Sequence, residues 1–385
     1  MQVESSEYPE RQNASGYLTI DLGALRRNYL LLRERAAPAR VAGVVKADAY
    51  GLDAQRVAPV LYSAGCRELF VAHFDEALSL KGCLADDARI FVLNGLLPGE
   101  EAIAASEGIV PVLNSLEQVA NWAAVAANSG RTLPGILQFD TGMSRLGLSD
   151  PEISQLLADR SLLSGIDVLF VMSHLASADE PDNTQNAEQF GRMAELIAEF
   201  PDAPMCFANS GGIFLTNTYH GQLVRPGVAL YGAAPSSAGT NPMQPVVSLG
   251  VAVVQTRTVP AGTRVGYGGT YTARRQMRLA TISAGYADGL PRSLSDNGAA
   301  YYNGVRLPIV GRVSMDSMTI DISALPPETL KLGDIVEIIG PHQTLEMLAS
   351  DAGTISYEIL TRLGRRYRRR YVDATPGDPS PARRA

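Results

Sequence analysis

The sequence is poor in the features that mark a secreted, membrane-bound or nucleic-acid-binding chain. Its 385 residues include only three cysteines. Cys66, Cys83 and Cys206 are scattered and lack paired metal-ligand spacing, so they read as small buried thiols in a reducing cytoplasm, and no metal site is expected. No apolar run reaches the roughly 18 residues of a membrane span, and "MQVESSEYPERQNASG" at the start has no apolar signal core. A net charge of -7 gives no electrostatic case for a nucleic acid or an anionic membrane as partner. What remains is ordinary for a soluble globular enzyme, with 46% hydrophobic and 19% charged residues.

Short apolar runs recur along the first 240 residues or so, separated by stretches rich in Ala, Leu and Glu that read as helix. In order they are "VAGVVK", "LFVAH", "IFVLNG", "IVPVLN", "ILQFD", "VLFVMSH", "MCFANS" and "VRPGVALYG". Their continuous apolarity suits strands buried on both faces. Alternation with helices predicts a parallel sheet, and eight repeats predict an α/β fold of the eight-stranded (TIM-like) β/α barrel type.

At about residue 238 the pattern changes: "PSSAGTNPMQP" reads as a linker, and the segments beyond it are rich in Val, Ile and Thr and broken by turns. A mostly β C-terminal domain is expected over 239–373, with the barrel over 17–238. "YLTIDLGALRRNYLLLRERA" reads as a strand and a helix, and this first strand fits either domain. Residues 1–16 are expected to be a flexible segment and 374–385 a disordered tail.

In such a barrel the active site lies at the C-terminal ends of the strands, where Lys46, His174 and Ser210 each close an apolar run. A single lysine there fits a surface amine or an ion pair as well as it fits a desolvated nucleophile. The convergence of three polar residues favours a site.

Several motifs occur in a fixed order: "VVKADAYG", "FDTGMSRLGL", "SHLASAD" and "VRPGVALYG" in the first part, then "VGYGGTYTA", "SAGYADGLPR" and "GRVSMDSM". Together they resemble the alanine racemases, enzymes that depend on pyridoxal phosphate, from about Tyr17 to about Tyr371. The resemblance implies that Lys46 carries the cofactor in imine linkage and moves a proton on one face of the substrate, while Tyr267 of a partner subunit acts on the other. His174 and Arg225 would support that tyrosine, whose ordinary pKa near 10 makes it a poor base unaided. Arg225 would also face the pyridine nitrogen and, being already charged, leave it unprotonated.

By the same resemblance Tyr50, Ser210, Tyr357 and the amides near Gly227 and Val228 would bind the cofactor phosphate. Arg145 would touch the cofactor and orient the substrate carboxylate, aided by the Met315 backbone. Tyr286, Arg292 and Asp316 would line the entrance, with Tyr357 helping to narrow it. The implied function is interconversion of L- and D-alanine, supplying D-alanine for peptidoglycan, by a homodimer with shared sites.

Two stretches depart from the pattern. Gln138 stands where many members have a carbamylated lysine, so a chloride is expected near it to hold Arg145; Asp48 and Leu52 alter the surroundings of Lys46. Both departures bear on substrate range and keep a broader racemase, acting on serine or larger side chains, as the alternative. A decarboxylase of basic amino acids would need an acidic residue where Arg225 stands, and a cofactor-carrier protein would lack the second domain.

Overall fold

The computed structural model describes residues 14 to 373, so the expected tail and most of the expected N-terminal segment lie outside the described residues. The chain divides into two compact units, one made of Ala24–Gln244 and the other of the residues before and after that span.

The first unit is a parallel sheet in which every run read from the sequence contributes a strand. Starting from Gly43–Val44, hydrogen-bonded neighbours are Glu68–Val71, Arg89–Val92, Val110–Leu113, Leu133–Gln138, Ile166–Met172, Met205–Asn209 and Leu223–Arg225, and the last of these pairs with Arg40–Val41. Arg40–Val41 and Gly43–Val44 flank Ala42, whose own amide donates to Val224 O at 2.9 Å. Residues 40–44 are thus one run that faces both ends of the sheet, and the ring closes. The eighth run is a correction in detail: only Leu223–Arg225 is strand, and the remainder turns into the 3-10 segment Val228–Tyr231. Pro226 lacks the amide that a longer ladder would need.

Aromatic side chains fill the interior. Phe70 stacks on Phe91 at 4.7 Å between centroids, and Phe91 meets Phe170 edge-on at 6.4 Å. Helices follow the strands and begin where a side-chain oxygen takes a free amide. Ser115 accepts from Gln118 N ahead of Leu116–Ser129, and Ser149 and Glu152 form a capping box on Asp150–Ala158.

In the other unit the 13-residue strand Val247–Val259 is central, antiparallel to Gly16–Asp21, Met277–Ile282 and Ile335–Ile339. Gly16–Asp21 also pairs in parallel with Arg368–Val372. The first strand, left open by sequence, is therefore hydrogen-bonded into the β unit, and the helix Leu22–Ala36 after it leads into the barrel unit. Met318–Asp321 and the pair Ala299–Tyr302 and Val305–Pro308 complete an eight-stranded sheet. A small separate hairpin joins Arg264–Val265 to Tyr271–Thr272.

Candidate active site

Lys46 follows strand 40–44 and opens one turn of unusual backbone. Ala47, Asp48, Ala49 and Tyr50 all have φ between 53 and 56°, in the left-handed helical region. Each non-glycine residue there costs roughly 1–2 kcal/mol, so the turn persists only because its surroundings fix it. Asp48 Oδ1 accepts from Ala54 N at 2.8 Å, and the Ala47 amide donates to Glu76 Oε1 at 2.5 Å. The turn directs Lys46 and Tyr50 into the unit. The Lys46 ammonium is disfavoured first by burial and then by the charges of Arg145 and Arg225, which together outweigh Glu76, so its pKa falls below the ordinary 10.5.

Arg225, the last residue of its strand, is 3% exposed. Its Nη1 donates to Cys206 O at 2.7 Å and touches Cys206 Sγ at 3.1 Å, while Nη2 donates to Ser173 O at 2.7 Å. Its guanidinium carbon lies 6.0 Å from the Phe70 ring centre, among the aromatic side chains of the interior. The same Nη2 reaches His174 Nδ1 at 3.4 Å. An arginine can only donate, so Nδ1 is the acceptor and the ring proton sits on Nε2. Burial, then Arg225, Arg145 and Lys46, hold the His174 imidazole well below its usual 6.5, which keeps it neutral near pH 7.

An anion cradle adjoins this cluster. Ser210 Oγ accepts from the amides of Gly227 at 2.9 Å and Ala229 at 3.3 Å. A Cβ on Gly227 would stand 2.3 Å from the Tyr50 hydroxyl, so that hydroxyl lies directly against the Gly227 backbone. Gly211 has a similar constraint, since its Cβ would meet Ala178 O at 2.5 Å. Tyr50 itself packs on Tyr231 at 4.6 Å. Hydroxyls and loop amides without a carboxylate form a donor set suited to a phosphate.

Arg145 lies exposed on the loop after Leu133–Gln138, and among the described residues it has no carboxylate partner. Asp140 Oδ1 shapes that loop by accepting from the amides of Gly142, Met143 and Ser144. Gln138 Nε2 donates to Leu146 O at 3.2 Å and so ties the loop next to Arg145.

The barrel unit thus brings together Lys46, Tyr50, Arg145, His174, Ser210, Arg225, Gly227 and Val228. The other six candidates, Tyr267, Tyr286, Arg292, Met315, Asp316 and Tyr357, fall in the β unit. There, four of the large side chains that stay exposed are Tyr267 at 70%, Tyr286 at 44%, Met315 at 52% and Tyr357 at 43%. Tyr267 stands on a turn whose Gly266 and Gly268 have φ of 73 and 71° and pack against Arg312. Tyr286 N donates to Ser314 O, and Ala287 N to Met315 O. Arg366 binds both Asp288 oxygens at 2.7 Å and Asp316 Oδ1 at 2.6 Å, fixing the two loops.

Sequence reading missed Glu76, Asp288, Arg366 and the contact of Cys206 with Arg225. The first three sit in common helix-start, turn and strand-approach contexts that give no signal of their own. Among the described residues, no cluster of three or more metal-ligating side chains exists.

A closed parallel barrel with a desolvated lysine at its strand ends defines an enzyme of the β/α-barrel class. The family follows from comparison. Models described as the alanine racemase N-terminal and C-terminal domains match residues 20–235 and 246–371, respectively. A protein of Agrobacterium fabrum named "Alanine racemase, catabolic" is 62% identical over 372 residues, 97% of this chain and 96% of that one. An alanine racemase of Brucella suis is 56% identical over 380 residues, 95% of this chain and 96% of the relative. Among solved structures, the alanine racemase of Bartonella henselae with covalently bound pyridoxal phosphate superposes with a TM-score of 0.91 at 43% identity, covering 93% of this chain and all, 100%, of that one. The Bacillus anthracis alanine racemase with bound L-Ala-P gives 0.83 at 29% identity, covering 94% and 96%. The chain belongs to the alanine racemase family.

Proposed function

We propose that this protein interconverts L- and D-alanine with pyridoxal phosphate held on Lys46. The observation that carries the proposal is the Lys46 amine, pushed toward its neutral form beside a phosphate cradle and two guanidinium groups. The residues fit that cofactor. Ser210, Tyr50 and the backbone at Gly227 and Val228 would hold its phosphate together with Tyr357, Arg225 its ring nitrogen and Arg145 its phenolic oxygen. When bound, it supplies an electron sink for the carbanion left when the substrate α-proton is removed.

The protein's own groups do the rest. Neutral Lys46 Nζ takes or returns a proton on one face. Tyr267 Oη does so on the other, since a single acid/base would return every proton to the side it left. His174, its Nδ1 engaged by Arg225, has Nε2-H free to steady the Tyr267 phenolate. Arg145, with the Met315 backbone, orients the substrate carboxylate. Tyr286, Arg292 and Asp316 would form a narrow entrance that favours a small side chain. A chloride near Gln138 would supply the anion that Arg145 lacks among the described residues.

The exposed Tyr267, Tyr286, Met315 and Tyr357 support a homodimer in which the β unit of one protomer completes the barrel site of the other. No helix among the described residues is long and apolar enough to cross a membrane, and all three cysteines are free; we place the enzyme in the cytoplasm. D-alanine supply for peptidoglycan is the role proposed. The relatives named catabolic favour D-alanine use as a second reading, and rescue of a strain that requires D-alanine separates capacity for supply from its absence.

The test is incubation of the cofactor-loaded protein in deuterated water with L-alanine, beside L-serine and L-lysine, followed by chiral analysis. The expected result is fast formation of α-deuterated D-alanine with the others slow. Absence of D-product from all three rejects the proposal, and comparable rates with serine shift it to a broader racemase.

A further inference from the structure

We infer that Glu76 is a positioning residue for Lys46, its carboxylate pinning the left-handed turn from which the lysine amine is presented. The inference rests on the reading of Lys46 as the reacting amine.

The strained residues begin immediately after Lys46, so whatever fixes the Ala47 peptide also fixes the base of the lysine side chain. The Ala47 amide donates to Glu76 Oε1 at 2.5 Å. Glu76 Oε2 accepts from Ala72 N at 2.8 Å and from His73 N at 3.1 Å, at the end of the neighbouring strand Glu68–Val71. One carboxylate therefore clasps the mouths of two adjacent barrel strands. Three N-H groups converge on it, and only an acceptor-only group serves them all; an amide in its place would turn an NH₂ toward a backbone N-H.

Glu76 has a second connection to the amine. Of the charged groups that act on Lys46, Arg145 and Arg225 favour the neutral form, and Glu76 alone opposes them. Its position at the third residue of helix Phe74–Lys81 accounts for the His73 bond as an ordinary helix start. That role does not account for the bond to Ala47, which lies outside the helix and its preceding loop.

The test uses Glu76→Gln and Glu76→Asp. The chain has only three lysines, Lys46, Lys81 and Lys331, so trace acetylation of the cofactor-free protein across a pH series, read by peptide mass spectrometry, resolves Lys46 with two internal references. For Glu76→Gln the Lys46 reactivity midpoint is expected to move to lower pH and kcat of the loaded enzyme to fall about tenfold, with the KM for alanine little changed. Glu76→Asp keeps the charge but is too short to reach both strands. Its midpoint should stay near that of the unaltered protein while kcat still falls.

Unaltered midpoint and kcat in folded Glu76→Gln overturn the inference. If that variant does not fold, Glu76→Asp decides, and an unaltered kcat overturns it. A shifted midpoint in a protein whose unaltered form racemises nothing leaves Glu76 in its place and rejects the racemase reading instead.

Discussion

Adding one methyl group at Gly227 should move the hydroxyl of Tyr50. A Cβ there would lie 2.3 Å from Tyr50 Oη and 3.1 Å from Cζ, whereas ordinary contacts begin at 3.4 Å. The hydroxyl must retreat by about 1 Å, and the ring has little freedom to follow, since Tyr50 is 5% exposed and packs on Tyr231. The Gly227 φ of -119° lies outside the left-handed region, and whatever its ψ of -87° costs an alanine is the same with tyrosine or phenylalanine at position 50. Overpacking of this kind costs about 1–3 kcal/mol, and about 2 kcal/mol in a unit of this size lowers the thermal midpoint by about 4–8 °C. Gly227→Ala is therefore expected to lose that much stability without cofactor and to retain pyridoxal phosphate less firmly on dialysis. In a Tyr50→Phe background the clashing atom is absent and the alanine should cost about 1 kcal/mol less, the remainder coming from the ring carbon. Four melting curves decide the matter. Equal costs of Gly227→Ala in both backgrounds would refute the claim that the hydroxyl is the wall of this cradle.

His174 gives a pH prediction. Its folded pKa is depressed, so between 6.5 and that lower value the unfolded chain binds the extra proton and stability falls as the pH drops. His174→Asn keeps an acceptor for Arg225 and should flatten this part of the curve between pH 7 and 5; unchanged acid sensitivity would argue against a neutral His174. Arg225→Met strands the buried carbonyl of Ser173 and leaves that of Cys206 with the long 3.4 Å bond from Ser173 N, and should cost about 1–3 kcal/mol in urea unfolding, well beyond a surface substitution. Arg366→Ala should free the Tyr286 and Ala287 amides to exchange faster with deuterium while the barrel amides keep their protection. Mixing an inactive Lys46→Ala protein with an inactive Tyr267→Phe protein should restore about a quarter of full activity after subunit exchange, because half the dimers are mixed and each has one complete site. No recovery would place both residues of a site on one chain. Replacing chloride with a bulky organic anion should lower activity reversibly, and Gln138→Lys should be less sensitive to the change.

The barrel was legible because strands buried on both faces must be apolar throughout, and each of the eight runs does contribute a strand to the ring. Lys46 stood out less by itself, since a charge that ends such a run also fits a surface amine or an ion pair; its convergence with His174 and Ser210 and the order of the motifs singled it out. The sequence also holds a sharper signal, since only three of 33 basic side chains are lysines and one of them stands at a strand end. Less was visible where backbone conformation carries the site. Ala47, Asp48, Ala49 and Tyr50 are ordinary residues for a right-handed helix, and no glycine within the strained stretch announces its opposite hand. The turn is held from outside by Glu76, 29 positions from Ala47, and from within by Asp48, whose Oδ1 accepts from Ala54 N. Cys206 was hidden in another way. A small thiol in an apolar strand is the expected occupant of a core position, and only the arrival of Arg225 from the neighbouring strand makes its sulfur and carbonyl part of the electrostatics. Residue identity thus marked the groups proposed to do chemistry, whereas the contacts that hold them come from commonplace residues whose meaning comes from the fold.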